Sequence, residues 1–158
     1  MAWNKLGTDT LTSAGSTLTV TGFTDKTNIF MIAEGLGVTA GDETMQFNND
    51  TGSNYSLRNS TNGGEGTLKN RVEYTFQRNG VGSVNDFFFA YIVNVSSEEK
   101  LIISFSNQNT TAGAGTAPIR DEIVGKWTNT SNEITEIDVN SNSANLQTDS
   151  NLSVIGSD

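Results

Sequence analysis

A chain of 158 residues with no His, no Cys and a single Pro lacks the side chains most used for acid–base catalysis, metal binding and redox work, while Asn, Thr, Ser and Gly fill nearly half of its positions. Eighteen acids against nine bases give a formal net charge of −9 without a basic cluster, which argues against nucleic acid as a partner; only acids follow Lys126, so anionic membranes are repelled as well. The length suits one domain over residues 1–158, with 1–10 as an N-terminal arm, and neither a membrane-length apolar run nor a signal-peptide pattern after Met1 is expected.

Short strand-like segments recur between clusters of Gly, Asn, Ser and Asp. Residues 16–23 alternate, placing Leu18 and Val20 inward and Thr17, Thr19 and Thr21 outward. After a turn at 24–27, segment 28–33 reads as a strand; 43–48 sends Met45 and Phe47 to one side, and 55–58 is a short strand. Asn79-Gly80, lying between 72–78 and 84–95, predicts a hairpin with a type I′ turn. The run Phe87 to Val93 is apolar on both faces and predicts a central strand covered on both sides. Segment 100–105 alternates again, with Leu101, Ile103 and Phe105 assigned inward. Segments 122–128, 134–140 and 151–156 follow, and Trp127, at period two from Ile123 and Gly125, belongs on a core face. No helical period is sustained, and 96–99 reads as a turn. The pattern predicts an all-β fold of about eight to ten strands, an antiparallel β-sandwich of jelly-roll type. Two polar stretches, 48–66 and 107–117, are long enough to serve as contact loops.

The chemistry that the sequence offers is sparse. Asn48 to Asn54 sets side-chain oxygens at alternate positions around a Gly, as calcium loops do, but the twelfth position from Asn48 is Asn59 rather than an acid. Asx-turns explain the pattern better, and no metal or other cofactor is expected. The pairs Glu98/Glu99 and Asp121/Glu122 point to opposite faces if extended, which suits solvated turns rather than a catalytic dyad. No Ser has a His to serve as its base, and the Gly-rich runs 63–66 and 113–115 lack the Lys of a phosphate loop. The sequons at Asn94 and Asn129 are what so much Asn, Ser and Thr produces by chance. An exposed Trp127 or Tyr55 beside Asn48 and Asp50 would instead form a sugar platform. Trp3, in the N-terminal arm, either plugs the end of the sandwich or docks onto a neighbour.

Three stretches carry a resemblance: 47–55; 111–118 running into Glu122-Ile123-Val124-Gly125-Lys126-Trp127; and the closing Asn151-Leu152-Ser153-Val154-Ile155-Gly156. With the opening Trp3 to Leu6, they resemble small structural proteins of tailed bacteriophages, especially marine ones, over nearly the whole chain. The resemblance implies a virion protein with a jelly-roll-like domain, often trimeric, and it brings no catalytic residues. From it follow the expectations of a non-enzymatic capsid decoration (cement) protein, made in the host cytoplasm and placed on the outer virion surface. Its partners would be the major capsid protein and two further copies in a homotrimer. The alternative is a tail or fibre module that binds a receptor or surface glycans. The candidate contact residues are Trp3, Leu6, Asn48, Asp50, Tyr55, Pro118 and Arg120.

Overall fold

The computed structural model describes residues 2–34, 41–80, 86–108, 113–142 and 145–158. Twelve strands are present: β1 (Asn4–Thr10), β2 (Thr17–Thr21), β3 (Asn28–Glu34), β4 (Gly41–Phe47), β5 (Tyr55–Thr61), β6 (Gly64–Arg71), β7 (Tyr74–Gly80), β8 (Asp86–Val93), β9 (Lys100–Gln108), β10 (Ile119–Trp127), β11 (Glu136–Ser141) and β12 (Asn151–Ser157). They form an antiparallel two-sheet sandwich. The larger sheet has the order β1-β12-β3-β8-β9-β10-β5-β6, and the smaller has the order β2-β11-β4-β7. The strands are thus divided eight and four, and two of them, β1 and β6, arise where the sequence reading placed an arm and a loop.

Apolar residues at period two build the single core. The small sheet contributes Leu18, Val20, Met45, Phe47, Tyr74, Phe76, Ile137 and Val139; the large sheet answers with Ile29, Met31, Phe88, Ile92, Ile102, Ile123, Trp127, Leu152 and Val154. Phe76 and Phe88 stack across the two layers with ring centroids 3.7 Å apart. At Gly125 a side chain is excluded, because a Cβ there would stand 2.6 Å from the Tyr74 ring and 2.7 Å from the Ser56 carbonyl. The ring of Tyr74 lies over that glycine, and its hydroxyl bonds Ser104 Oγ at 2.9 Å.

Three expectations about sidedness and pairing are corrected. The hairpin at Asn79-Gly80 does not form: β7 pairs with β4, and β8 pairs with β3 and β9 in the other sheet. Asn79 and Gly80 continue β7, and Val84 and Asn85 lie outside the described residues. An Asn-Gly pair is a local preference, and here the burial of Phe76 and Phe88 against each other outweighs it. Strand β8 is central as expected, yet only its Phe88, Ala90 and Ile92 face is buried. Strand β9 is inverted relative to its pattern: Lys100, Ile102, Ser104, Ser106 and Gln108 point inward, and Leu101, Ile103 and Phe105 point out.

The inversion is tolerated because most of the inward polar groups find partners. Lys100 Nζ donates to the carbonyls of Glu98 and Asn129 at 2.6 and 3.1 Å. Ser104 meets Tyr74, and Ser106 donates to the Phe76 carbonyl at 3.2 Å. On the other side of the sandwich, Gly7 lets β1 close onto β2, since a Cβ there would stand 2.5 Å from Val20.

Candidate functional site: the outer face of the large sheet

The register across the eight strands sets up two rows on the solvent side. One row runs Lys5, Ile155, Phe30, Tyr91, Ile103, Val124, Arg58, Thr67, so five apolar or aromatic residues on neighbouring strands stand between two cations. The next row runs Thr8, Ser153, Ile32, Phe89, Phe105, Glu122, Ser60, Glu65. Cross-strand neighbours of this kind lie close enough to touch. Phe89 stacks on Phe105 at 5.4 Å and tilts against Phe30 at 5.9 Å, while Trp3 reaches over the sheet to meet Tyr91 edge-on at 6.4 Å.

These side chains are open to solvent. Leu101 is 55% exposed, Ile103 51% and Phe105 38%, and Trp3, Phe87, Tyr91 and Val124 are exposed beside them. Together the seven form an exposed apolar and aromatic surface of the kind that marks an interaction site. The opposite outer face, on the small sheet, is polar and acidic. There Thr19 donates to Asp138 at 2.6 Å, and Thr21 and Asn49 both bond Glu136. Burial raises the Asp138 carboxyl above its ordinary value, the Thr19 hydrogen bond lowers it, and the Glu136 charge raises it again.

A shallow, open groove of about 650 Å³ lies on this face over β9, β10, β5 and β6. Leu101, Ile103 and Val124 lie along it, with Arg58, Lys69 and Lys126 at its sides. Lys126 is held by Glu99 at 2.6 Å.

The loop after β4 is pinned to the core. Asp50 accepts the Trp127 indole N–H at 2.6 Å, the Asn54 amide at 2.9 Å and the Gly52 backbone N–H at 2.8 Å. Burial pushes the Asp50 carboxyl up, but these three donors outweigh it and hold it below the ordinary Asp value. Asn48 and Asn49 take left-handed backbone, and Asn48 Oδ1 accepts from the N–H groups of Thr135 and Glu136 at 3.0 and 3.1 Å. The Asx-turn reading describes this loop, and its oxygens are turned to its own chain. Among the described residues no group of three acids is placed to hold a metal ion.

At one end of the interior sits a polar cluster. Glu43 from β4 is buried with both carboxyl oxygens lacking a hydrogen-bond partner, and so is the Gln108 amide, whose cross-strand neighbour is Asp86. Burial, followed by the charge of Asp86, pushes the Glu43 carboxyl up to about 8.

The contact candidates from the sequence separate into three groups. Trp3, Pro118 and Arg120 are exposed, Trp3 and Arg120 on or beside the apolar face; Arg120 lies 3.7 Å from Glu122. Leu6 packs against the core, and Asn48 and Asp50 are occupied by the bonds just described. Tyr55 is a correction: it is fully buried against Phe47 and Trp127, its oxygen accepting the Phe47 N–H at 3.0 Å, so it has no surface to offer. Trp127 is equally buried, on the core face that its period indicates, so the condition for a sugar platform, an exposed Trp127 or Tyr55, is not met. Of the loop 107–117, residues 109–112 lie outside the described ones, and 113–117 are exposed. Ile103 and Phe105, assigned inward from the alternation of β9, are surface residues, although the two-sided apolar run of β8 signalled a second apolar face.

No protein-family model matches this chain, and no curated protein does. Among solved structures, an alginate lyase in complex with an alginate tetrasaccharide is similar at TM-score 0.33 and 10% identity, over 96% of this chain and 79% of that one. The Scytalido-glutamic peptidase with a peptide transition-state analogue is similar at TM-score 0.27 and 12% identity, over 92% and 64% of the two chains. Likenesses this distant carry no argument about function.

Proposed function

We propose that this protein is a structural component of a tailed-phage virion, a capsid decoration protein that attaches through the outer face of its large sheet and has no reactive centre. The observation that carries the reading is the outward apolar row centred on Tyr91, Ile103 and Val124, continuous across the sheet and exposed apart from the contact of Trp3 with Tyr91. An apolar surface of this size is costly in water unless a partner removes it. The acidic small-sheet face suits the outside of a head, away from packaged DNA. A homotrimer seated over a junction between capsid subunits would engage several of them at once, so contacts weak individually act at high effective concentration.

Electron microscopy of particles labelled with an antibody to this protein tests the placement, with label expected over the head. Label confined to the tail, or none on purified virions, overturns the proposal. An Ile103→Glu/Phe105→Glu variant is expected to fold, by circular dichroism, and to be lost from particles.

A further inference from the structure

The groove at the β6 end of this face differs in chemistry from the aromatic patch beside it. We propose that it is a binding site for an extended acidic and aliphatic peptide segment of a partner protein, a refinement that takes from the structural role above only the choice of a protein as occupant.

Charge makes the first part of the case. The chain has twice as many acids as bases, yet the groove takes three of its nine cations and no acid at all. Glu99 engages Lys126, whereas Arg58 and Lys69 form no ion pair among the described residues and are exposed. A concave wall with one sign of charge above apolar ground concentrates counter-charged ligands. The volume of about 650 Å³ falls within the ~300–1,000 Å³ of ordinary ligand sites.

The apolar ground decides the class of anion. Val124 stands opposite Arg58 in the ladder, and Leu101 opposite Lys126, so two of the three cations have an aliphatic side chain as cross-strand neighbour. A strand-like peptide lays every second side chain on the sheet, so one whose same-face residues alternate an acid with Leu, Ile or Val matches that arrangement, its acids meeting the cations and its aliphatic side chains meeting Leu101, Ile103 and Val124. Sugars and nucleic-acid bases are held by stacking on aromatic rings. The aromatic residues of this face lie outside the groove, on β3, β8 and the end of β9. The acidic, aliphatic stretches of this chain at Asp121 to Val124 and Glu136 to Val139 are each already paired on both sides within their own sheets, so neither is free to serve a second copy as the segment.

The test is fluorescence anisotropy with the full chain and a fluorescein-labelled, end-capped heptapeptide that carries Asp and Leu in turn at its odd positions with Ser between them (the Asp/Leu peptide), beside versions with Lys in place of Asp and with Ser in place of Leu. Saturable binding of the Asp/Leu peptide is expected, weakening as salt rises from about 50 to 200 mM because exposed charges are screened on that scale. The other two peptides should bind at least about fivefold more weakly, and Arg58→Ala/Lys69→Ala should lower the Asp/Leu affinity about as much, the size expected for two exposed ion pairs. Both substitutions are at exposed positions, so an unchanged thermal midpoint is the control. Equal binding of the Lys/Leu peptide, undiminished binding by the double variant, or displacement of the peptide by polygalacturonate each overturns the assignment. A chain that decorates heads but ignores the peptide loses this inference alone; one that binds the peptide but is absent from virions loses only the structural role.

Discussion

Adjacent residues on β9 give the sharpest test of which face of the large sheet is outside. Ile102 is 1% exposed and packs in the core, while Ile103 is 51% exposed on the outer face. Truncation of Ile to Ala removes three carbons, about 2.4 kcal/mol of transfer free energy when all three are buried. At position 102 a cavity is added, because its cross-strand neighbours Ile92 and Gly125, the latter under the Tyr74 ring, are held in place, so Ile102→Ala should cost about 3–4 kcal/mol. At position 103 only about half of that transfer is lost and no cavity opens, so Ile103→Ala should cost ~1 kcal/mol. Urea unfolding followed by tryptophan fluorescence reads the difference as a shift in midpoint with an unchanged slope. Trp127 provides a buried reporter, and Trp3→Phe removes the exposed one. If Ile103→Ala is as costly as Ile102→Ala, and independent of protein concentration, the outward assignment of Leu101, Ile103 and Phe105 is wrong. A cost at 103 that grows with protein concentration would point to copies of the chain covering the face.

Three further outcomes follow from named contacts. The Glu43 carboxyl is raised to about 8, so the folded state holds a proton that the unfolded chain has released above about pH 4.5; stability should therefore fall as pH climbs from there to 8, by up to about 1.4 kcal/mol per unit, and Glu43→Gln should flatten that slope in urea titrations. Asp50 shifts the opposite way, so its contribution is present above the ordinary Asp value and lost as pH drops through its lowered one. Asp50→Ala at neutral pH should cost about 2–3 kcal/mol in the same assay and shift the fluorescence of Trp127, whose indole N–H loses its acceptor. Trp3→Ala should leave the thermal midpoint nearly unchanged while weakening retention on particles, measured by the salt needed to release the protein; loss of folding would instead place Trp3 in the core.

The sequence carries the architecture well where burial and alternation agree. Leu18 and Val20, Met45 and Phe47, and Ile123 and Trp127 each face inward as their period requires. Strand β1 escaped because Asn4–Thr10 has one large apolar residue, Leu6, and is held instead by pairing to β12 and by its approach to β2 at Gly7. Strand β6 escaped for the same reason: Gly64–Arg71 is an edge strand with Leu68 as its one apolar anchor, opposite Leu57. The Asn79-Gly80 pair misled because turn preference is a property of a few residues, whereas the partners of β7 and β8 are chosen by the two sheets' shared core.

Strand β9 failed for a reason that bears on function. Its Lys100, Ser104 and Ser106 read as outward residues, and only the tertiary structure supplies the Glu98 and Asn129 carbonyls, the Tyr74 hydroxyl and the Phe76 carbonyl that satisfy them inside. A period-two pattern says which residues share a face, but not which face is in. Its neighbour held the missing information. Strand β8 is apolar on both sides, and a strand with two apolar sides needs two layers over it. The small sheet provides one of them. Among the described residues Trp3 alone reaches onto the other side, touching Tyr91 at the edge and leaving Phe87, Ile103 and Phe105 bare. The two anomalies are therefore one. An inverted β9 beside a two-sided β8 is the residue pattern of a sheet with a second covering, one that the described residues do not supply and that a capsid partner provides under the function proposed above.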